Sequence, residues 1–335
     1  MRGVKDLARL AVGRVERVGP DDAPSLPGGT LMGWPIRMYD SGAMYFVTLR
    51  CIQGRLLLRP SPRTNEVIAG VLARAARACS VELFGFIFAS NHFHLIVRAP
   101  ERNLPRFMQF LAANISRKVG WLTGWRGSFW ERRYSAEPIL DDEALFGRVR
   151  YLLAHGVKER LVRRCRDWPG LNSLRLMLGA APLPARWFNW TRRWCDRSQL
   201  ATDRNASTWA ESDELSLTTL PSLAARSPKA RRRLWLRTVA AIEEEAARDP
   251  RPVFGVRAVL AQRPQFRPTR PARRPRPLCH TSLRILLELF RAHYRSYLER
   301  FREASVAWRR GHLAASFPDG AVRPFLWSVP LPGTT

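Results

Sequence analysis

Residues Val81–Arg98 read VELFGFIFASNHFHLIVR, and the fold of the chain turns on how this stretch is parsed. Two short apolar runs flank the polar pair Ser90–Asn91, the pattern of two strands joined by a tight turn. Side chains alternate faces along a strand, so His92 and His94 project from one side while Phe93, Leu95 and Val97 point to the other. The apolar set fixes the register, because a one-residue slip would expose all of it. Two imidazoles on one rigid strand, both aimed the same way, supply half of a divalent-metal site. The same spacing also suits a polar stripe on the solvated face of an antiparallel sheet. His-x-His alone does not choose between them.

Working outward, Met44–Ile52 (MYFVTLRCI) alternates well enough for an earlier strand, and Gln53–Arg63 is a basic loop. Thr64 or Asn65 is placed to cap a helix running to Cys79, with Val67, Val71, Leu72 and Ala75 as its apolar stripe. Leu104–Trp121 reads as a second helix, with Phe107, Phe110 and Leu111 inward and Arg106, Arg117 and Lys118 on a basic side. The order strand, helix, strand, strand, helix predicts an α+β fold, an antiparallel sheet with helices packed on one face. The segment Gly124–Leu140 interleaves Trp125, Phe129, Trp130 and Tyr134 with Arg126, Arg132 and Arg133. Such a mixture suits single-stranded nucleic acid, since bases stack on rings while arginines follow phosphates. A core strand with a basic edge gives the same pattern. Asp141–Glu143 then opens a helix, acids at its positive end. It runs through Phe146, Val149, Tyr151 and Leu152 to Ala154 or His155, where Gly156 is placed to stop it. Tyr151 and His155 lie four apart and share a helical face, although a tyrosine so placed is more often a core residue with its hydroxyl at the rim.

The formal net charge is +28, and only Lys5, Lys118, Lys158 and Lys229 among the 56 basic residues are not arginine. Guanidinium groups bind phosphate bidentately and stack on bases, so the excess points to a polyanionic partner, nucleic acid. A GC-rich genome would explain arginine over lysine, but not 56 bases against 28 acids. The five cysteines form no Cys-x-x-Cys pair, which argues against a zinc ribbon or a disulfide framework. No apolar run approaches membrane-spanning length and the N-terminus lacks a signal-peptide core, so a cytoplasmic, nucleoid-associated protein with no membrane partner is expected.

Taken together, NHFHLIV, FWERRY, the acid-started helix with VRYLLAHGVKERLV, and DWPGLNS make the chain resemble one family closely. It is similar to the single-tyrosine HUH transposases, above all the REP-associated tyrosine transposases of bacteria. The resemblance spans Ala43 to Ser173 and rests on four motifs in order. It implies a ferredoxin-like HUH core over residues 43–178; residues 1–42, with a Pro/Gly/Asp cluster at Gly19–Gly29, read as an irregular leader. It also implies that His92 and His94 ligate a divalent metal, Mg²⁺ or Mn²⁺, and that Tyr151 is the nucleophile. The third ligand position, usually Gln or Asn, maps to His155. An all-nitrogen set of this kind favours Mn²⁺, Co²⁺ or Zn²⁺ more than the usual oxygen-containing one does. The partner implied is single-stranded hairpin DNA, nicked and rejoined through a 5′-phosphotyrosine. Arg50, Arg55, Arg117, Lys118, Trp125, Arg126, Trp130, Arg132 and Arg133 are the expected DNA contacts. The alternatives are a core that binds hairpin DNA without cutting it and a hydrolytic metallonuclease, which would leave Tyr151 idle.

Residues 179–335 lie beyond the resemblance and read as a mainly helical basic extension. Arg186–Arg197 (RWFNWTRRWCDR) is dense in Trp and Arg, Ser198–Ser227 reads as a polar linker, and Pro250–Pro277 as an extended arginine–proline arm. Helices are expected over 231–248 and 281–309, the second with Leu286, Leu287, Phe290, Tyr294, Tyr297 and Phe301 at helical steps. Added DNA affinity or homodimer formation is the role expected of this half.

Overall fold

The computed structural model describes residues 36–195, 206–269 and 277–323. The expected leader up to position 35, and Arg270, Arg273, Arg274 and Arg276 of the expected arm, lie outside them. The first strand, β1 (Met44–Arg50), is followed by α1 (Pro62–Ala78), β2 (Glu82–Phe88), β3 (His92–Arg98), α2 (Leu104–Thr123) and β4 (Ser135–Ile139). The strands pair antiparallel in the order β2-β3-β1-β4, which is the ferredoxin-like βαββαβ arrangement.

Register assigns every side chain to a face. Thr48 stands opposite His94, Arg50 opposite His92 and Phe46 opposite both Ile96 and Glu137. With a period of two, Phe46, Thr48, Arg50, His92, His94, Ile96, Glu137 and Ile139 therefore share one face. The other face presents Tyr45, Val47, Leu49, Phe93, Leu95 and Val97 to α1 and α2, where they bury the larger core. Both helices expected on one face are there. The histidine face is covered too, by α3 (Asp142–Lys158) and behind it α6 (Pro228–Ala247), which bury Phe46, Ile96, Val149, Leu152 and Trp235 together.

Local chemistry sets the helix ends. Ser61, not Thr64 or Asn65, caps α1: its Oγ accepts the Thr64 N–H at 3.1 Å, and Pro62 occupies the first turn, where no amide donor is needed. Asp141 caps α3, accepting the Ala144 N–H at 2.7 Å. The helix continues past Gly156, because that glycine lies against Trp168 and Val162, where a Cβ would come within 3.1 Å of each. Gly85, at the irregularity in β2, lets α3 approach the sheet: a Cβ there would stand 3.0 Å from Leu152 Cδ1.

The second half packs onto this core. After a short α4 (Leu174–Met177), β5 (Leu183–Phe188) runs along α1 and leads into α5 (Trp190–Cys195). The stretch expected to be a linker contains β6 (Ala210–Leu215), antiparallel to β5, with Asp213 held 2.9 Å from Arg77. Within the expected extended arm, α7 (Val256–Ala261) buries Val259. The last helix, α8 (Arg284–Arg309), stacks Phe290, Tyr294, Tyr297 and Phe301 in series and ties to residues 36–37 through the hydroxyls of Tyr294 and Tyr297. No helix among the described residues is long and apolar enough to cross a membrane.

Candidate active site

His92 and His94 leave β3 on the face that α3 covers, and α3 brings His155 and Tyr151 down onto them. One ligand atom from each histidine lies within 4.8 Å of the others. His92 Nε2 and His155 Nε2 are 2.8 Å apart. The His94 ring stacks on Phe46 at 5.0 Å and meets the His92 ring edge-on at 4.8 Å.

Hydrogen bonds outside the cluster orient the rings. Asn91 donates its amide to the Gly54 carbonyl at 3.1 Å, which turns its Oδ1 toward His92 Nδ1 at 2.6 Å. An amide oxygen only accepts, so the His92 proton sits on Nδ1 and the Nε2 lone pair faces the cluster. Thr48 Oγ1 engages His94 Nδ1 at 2.8 Å, leaving His94 Nε2 buried with no partner. Burial, then the neighbouring His155 and Arg50, holds the His92 pKa well below the usual imidazole value. Burial followed by His92 does the same to His94, and burial followed by Lys158 brings His155 down to about 4. All three imidazoles are neutral near pH 7 and carry lone pairs. A buried, unpartnered Nε2 beside two further nitrogens fits a small divalent cation.

Tyr151 stands one helical turn before His155, its ring edge-on to His94 at 5.3 Å and to Phe46 at 5.9 Å. The Arg148 guanidinium lies 5.4 Å from the ring centre and the Lys158 ammonium 5.2 Å. Burial and then Glu159 push the phenol pKa up, while Arg148 and Arg50 pull it down. Tyr134, the other tyrosine in the motif region, is engaged elsewhere: its hydroxyl lies 2.7 Å from that of Tyr39 and Arg37 sits over its ring. Burial raises its pKa strongly.

Three residues here are missed by the reading from sequence. Glu137 reaches this face through the β4 register, and Arg148 through its place three residues before Tyr151. His280 comes from the second half of the chain, bridging to Ile139 at the β4 edge and meeting Phe46 edge-on at 5.4 Å. Asp141 secures that crossing: besides capping α3 it accepts from Thr281 Oγ1 at 2.6 Å and from the Ser282 N–H at 2.8 Å. Its double use gives one carboxylate two tasks, starting the tyrosine helix and anchoring the extension. Only the i−3 spacing of Arg148 could have been read beforehand.

The expected DNA contacts divide among several places. Arg50 lies on the histidine face. Arg55 is held by Gln53 and by the Gln265 carbonyl, with its guanidinium 5.1 Å from the Trp125 ring. Trp125 donates to Ser128 O, and Trp130 donates to Ala112 O while packing edge-on against Phe93. Arg126 and Arg133 are exposed and Arg132 half-buried along the same segment. Arg117 and Lys118 lie on the outer side of α2, away from the histidines.

No protein-family model matches the chain, and no curated protein matches it. Among solved structures it is similar to a REP-associated tyrosine transposase bound to a REP hairpin, with a TM-score of 0.37 and 17% identity over 42% of this chain and 82% of that one. It is also similar to a proposed transposase from Deinococcus radiodurans R1, with a TM-score of 0.26 and 16% identity over 32% of this chain and 84% of that one.

Proposed function

We propose that this chain nicks and rejoins single-stranded hairpin DNA through a covalent link to Tyr151, with a divalent metal held by His92, His94 and His155. The observation that carries this reading is the placement of Tyr151 one turn from His155, with its ring against His94 and with three neutral imidazoles converging beneath it. A metal bound there would polarise a non-bridging oxygen of the scissile phosphate and offset charge on the departing 3′ oxygen.

The chain's own residues supply the rest. Tyr151 Oη attacks phosphorus and loses its proton; the bond from phosphorus to the 3′ oxygen breaks, and that oxygen gains a proton. The products are a 5′-phosphotyrosine and a free 3′-OH. Burial makes phenolate costly, and Arg148 and Arg50 offset that cost while the proton leaves. The same guanidinium groups suit the phosphate itself. Because the phosphoester is kept in the protein–DNA link, a second 3′-OH can reverse the step and join strands. A hydrolytic nuclease would need no tyrosine at this position, and the histidine cluster contains none of the carboxylates usual in such sites.

The test uses end-labelled hairpin single strands from DNA flanking the gene, incubated with Mn²⁺ or Mg²⁺ and run on a denaturing protein gel. Label should move to the mass of the protein with the wild type and not with Tyr151→Phe. Tight binding without linkage under any divalent ion would overturn the enzymatic reading and leave a hairpin-binding protein.

A further inference from the structure

On the side of the sheet away from the histidines, a groove of about 640 Å³ lies between α1, α2 and the corner where β5 enters α5. It shares no residue with the histidine cluster or Tyr151, although Arg117 and Lys118 are two of the expected DNA contacts. Arg63, Arg117, Lys118, Arg186 and Arg193 line it against one carboxylate, Glu66. Lys118 is a structural member of this set: Nζ donates to the Phe188 carbonyl at 2.7 Å and lies 4.2 Å from the centre of the Trp187 ring, and burial lowers its pKa to about 8. It pins β5 to α2 and so fixes one wall. The opposing walls present Trp121, 69% exposed, and Trp190, 50% exposed. Trp190 is pre-set by its neighbours, packed edge-on to Phe188 at 4.5 Å with the Arg193 guanidinium 5.4 Å from its ring.

Two exposed indoles in one cationic groove are poorly explained by stability, since each leaves a large apolar face in water. Bases cover such faces by stacking while arginines follow the phosphates, and the pairing tolerates any sequence. An acidic peptide would satisfy the charges and leave the ring faces bare. We infer that this groove is a second, sequence-tolerant binding site for single-stranded nucleic acid, independent of metal and remote from Tyr151. The inference shares with the proposed function only its polyanionic partner.

The experiment measures binding of a fluorescein-labelled deoxythymidine oligomer of about 12 nucleotides to the full chain in EDTA, by anisotropy. Trp121→Ala and Trp190→Ala should each weaken binding about tenfold or more, and Trp→Phe at either position should restore most of it. Arg117→Gln with Arg193→Gln should flatten the slope of log affinity against log salt by about 1.4, near 0.7 per charge removed. Covalent linkage of a saturating hairpin should be unchanged in the two Trp→Ala variants, so loss of the groove and loss of the tyrosine chemistry are read separately. Wild-type affinity in a folded Trp121→Ala/Trp190→Ala double variant would overturn the inference. So would a change of oligomeric state in that variant with oligomer binding intact, which would make the groove an interface between copies of this chain.

Discussion

His92 Nε2 and His155 Nε2 approach to 2.8 Å although one leaves a strand and the other a helix 63 residues later. The Asn91 side-chain oxygen Oδ1 holds the His92 proton on Nδ1, so of these two nitrogens only His155 Nε2 has a proton to donate. That tautomer leaves His155 Nδ1 buried without a partner, and His94 Nε2 is in the same position. Two orphaned nitrogens in one cluster are costly, about 1–3 kcal/mol for each unsatisfied buried group. Moving the His155 proton to Nδ1 frees its Nε2 for a cation and turns the cluster into a ligand set.

Metal binding should therefore stabilise the fold. At a free ion concentration of a hundred times Kd the gain is about 2.7 kcal/mol, which corresponds to a rise in Tm of about 5 °C. Zn²⁺, Co²⁺ or Mn²⁺ should give it at lower concentration than Mg²⁺, because all three ligands are nitrogen. Differential scanning fluorimetry of the wild type and His155→Ala settles the matter. An equal rise in the variant would place the ion elsewhere.

Arg148 is expected to matter for chemistry more than for folding. Its guanidinium faces both Phe46 and Tyr151, and it opposes the rise that burial imposes on the phenol. On the proposed mechanism, replacing it with Ala removes positive charge from the place where phenolate would form and phosphate would sit. Single-turnover linkage should slow about a hundredfold, with Arg148→Lys recovering part of the rate. Unchanged linkage in Arg148→Ala would reduce Arg148 to a packing residue.

The periodicities of strand and helix made much of this site readable. A step of two put His92 and His94 on one face, and a step of four put Tyr151 with His155. What stayed hidden depends on contacts between distant segments. His280 reaches the histidine face only because residues 277–283 run along the β4 edge and are tied to Asp141. The strand β6 (AESDEL) looks like linker because three of its six residues are acidic. Two of them, Glu211 and Asp213, face α1, and their ion pairs with Arg74 and Arg77 and the pairing with β5 exist only after folding. Gly156 resembles a helix stop in sequence, yet its lack of a side chain serves the Trp168 ring instead.

His280 gives the fold a pH dependence of definite sign. Burial, then Arg148, brings its pKa down to about 3, and at 3.9 Å Glu137 is too far for a hydrogen bond that would reverse this. In the unfolded chain the imidazole titrates near 6.5. Below that pH the unfolded state binds a proton that the folded state refuses, so stability falls as pH drops from about 6.5 toward 3, by up to about 1.4 kcal/mol per unit. Thermal melts at pH 7 and pH 5 should separate in the wild type and lie closer together in His280→Asn. An unchanged gap in the variant would assign the dependence to other groups.

Two glycines make opposite predictions from one measure of space. At Gly70, where β5 crosses α1, an added Cβ would stand 2.0 Å from the Arg186 carbonyl oxygen. The obstacle is backbone, so helix and strand must part, which costs about 1–3 kcal/mol or more. The same displacement pulls Arg186 and its neighbours out of the groove that they wall. At Gly147, on the exposed side of α3, nothing lies within 4 Å of an added Cβ. There Ala should stabilise the helix by about 0.5–1 kcal/mol through its better propensity. Thermal melts should show Gly70→Ala below the wild type and Gly147→Ala above it. Oligomer binding should weaken only in Gly70→Ala, because only that change moves the strand carrying the groove; a Gly70→Ala protein that melts and binds like the wild type would contradict the seating of β5 on α1.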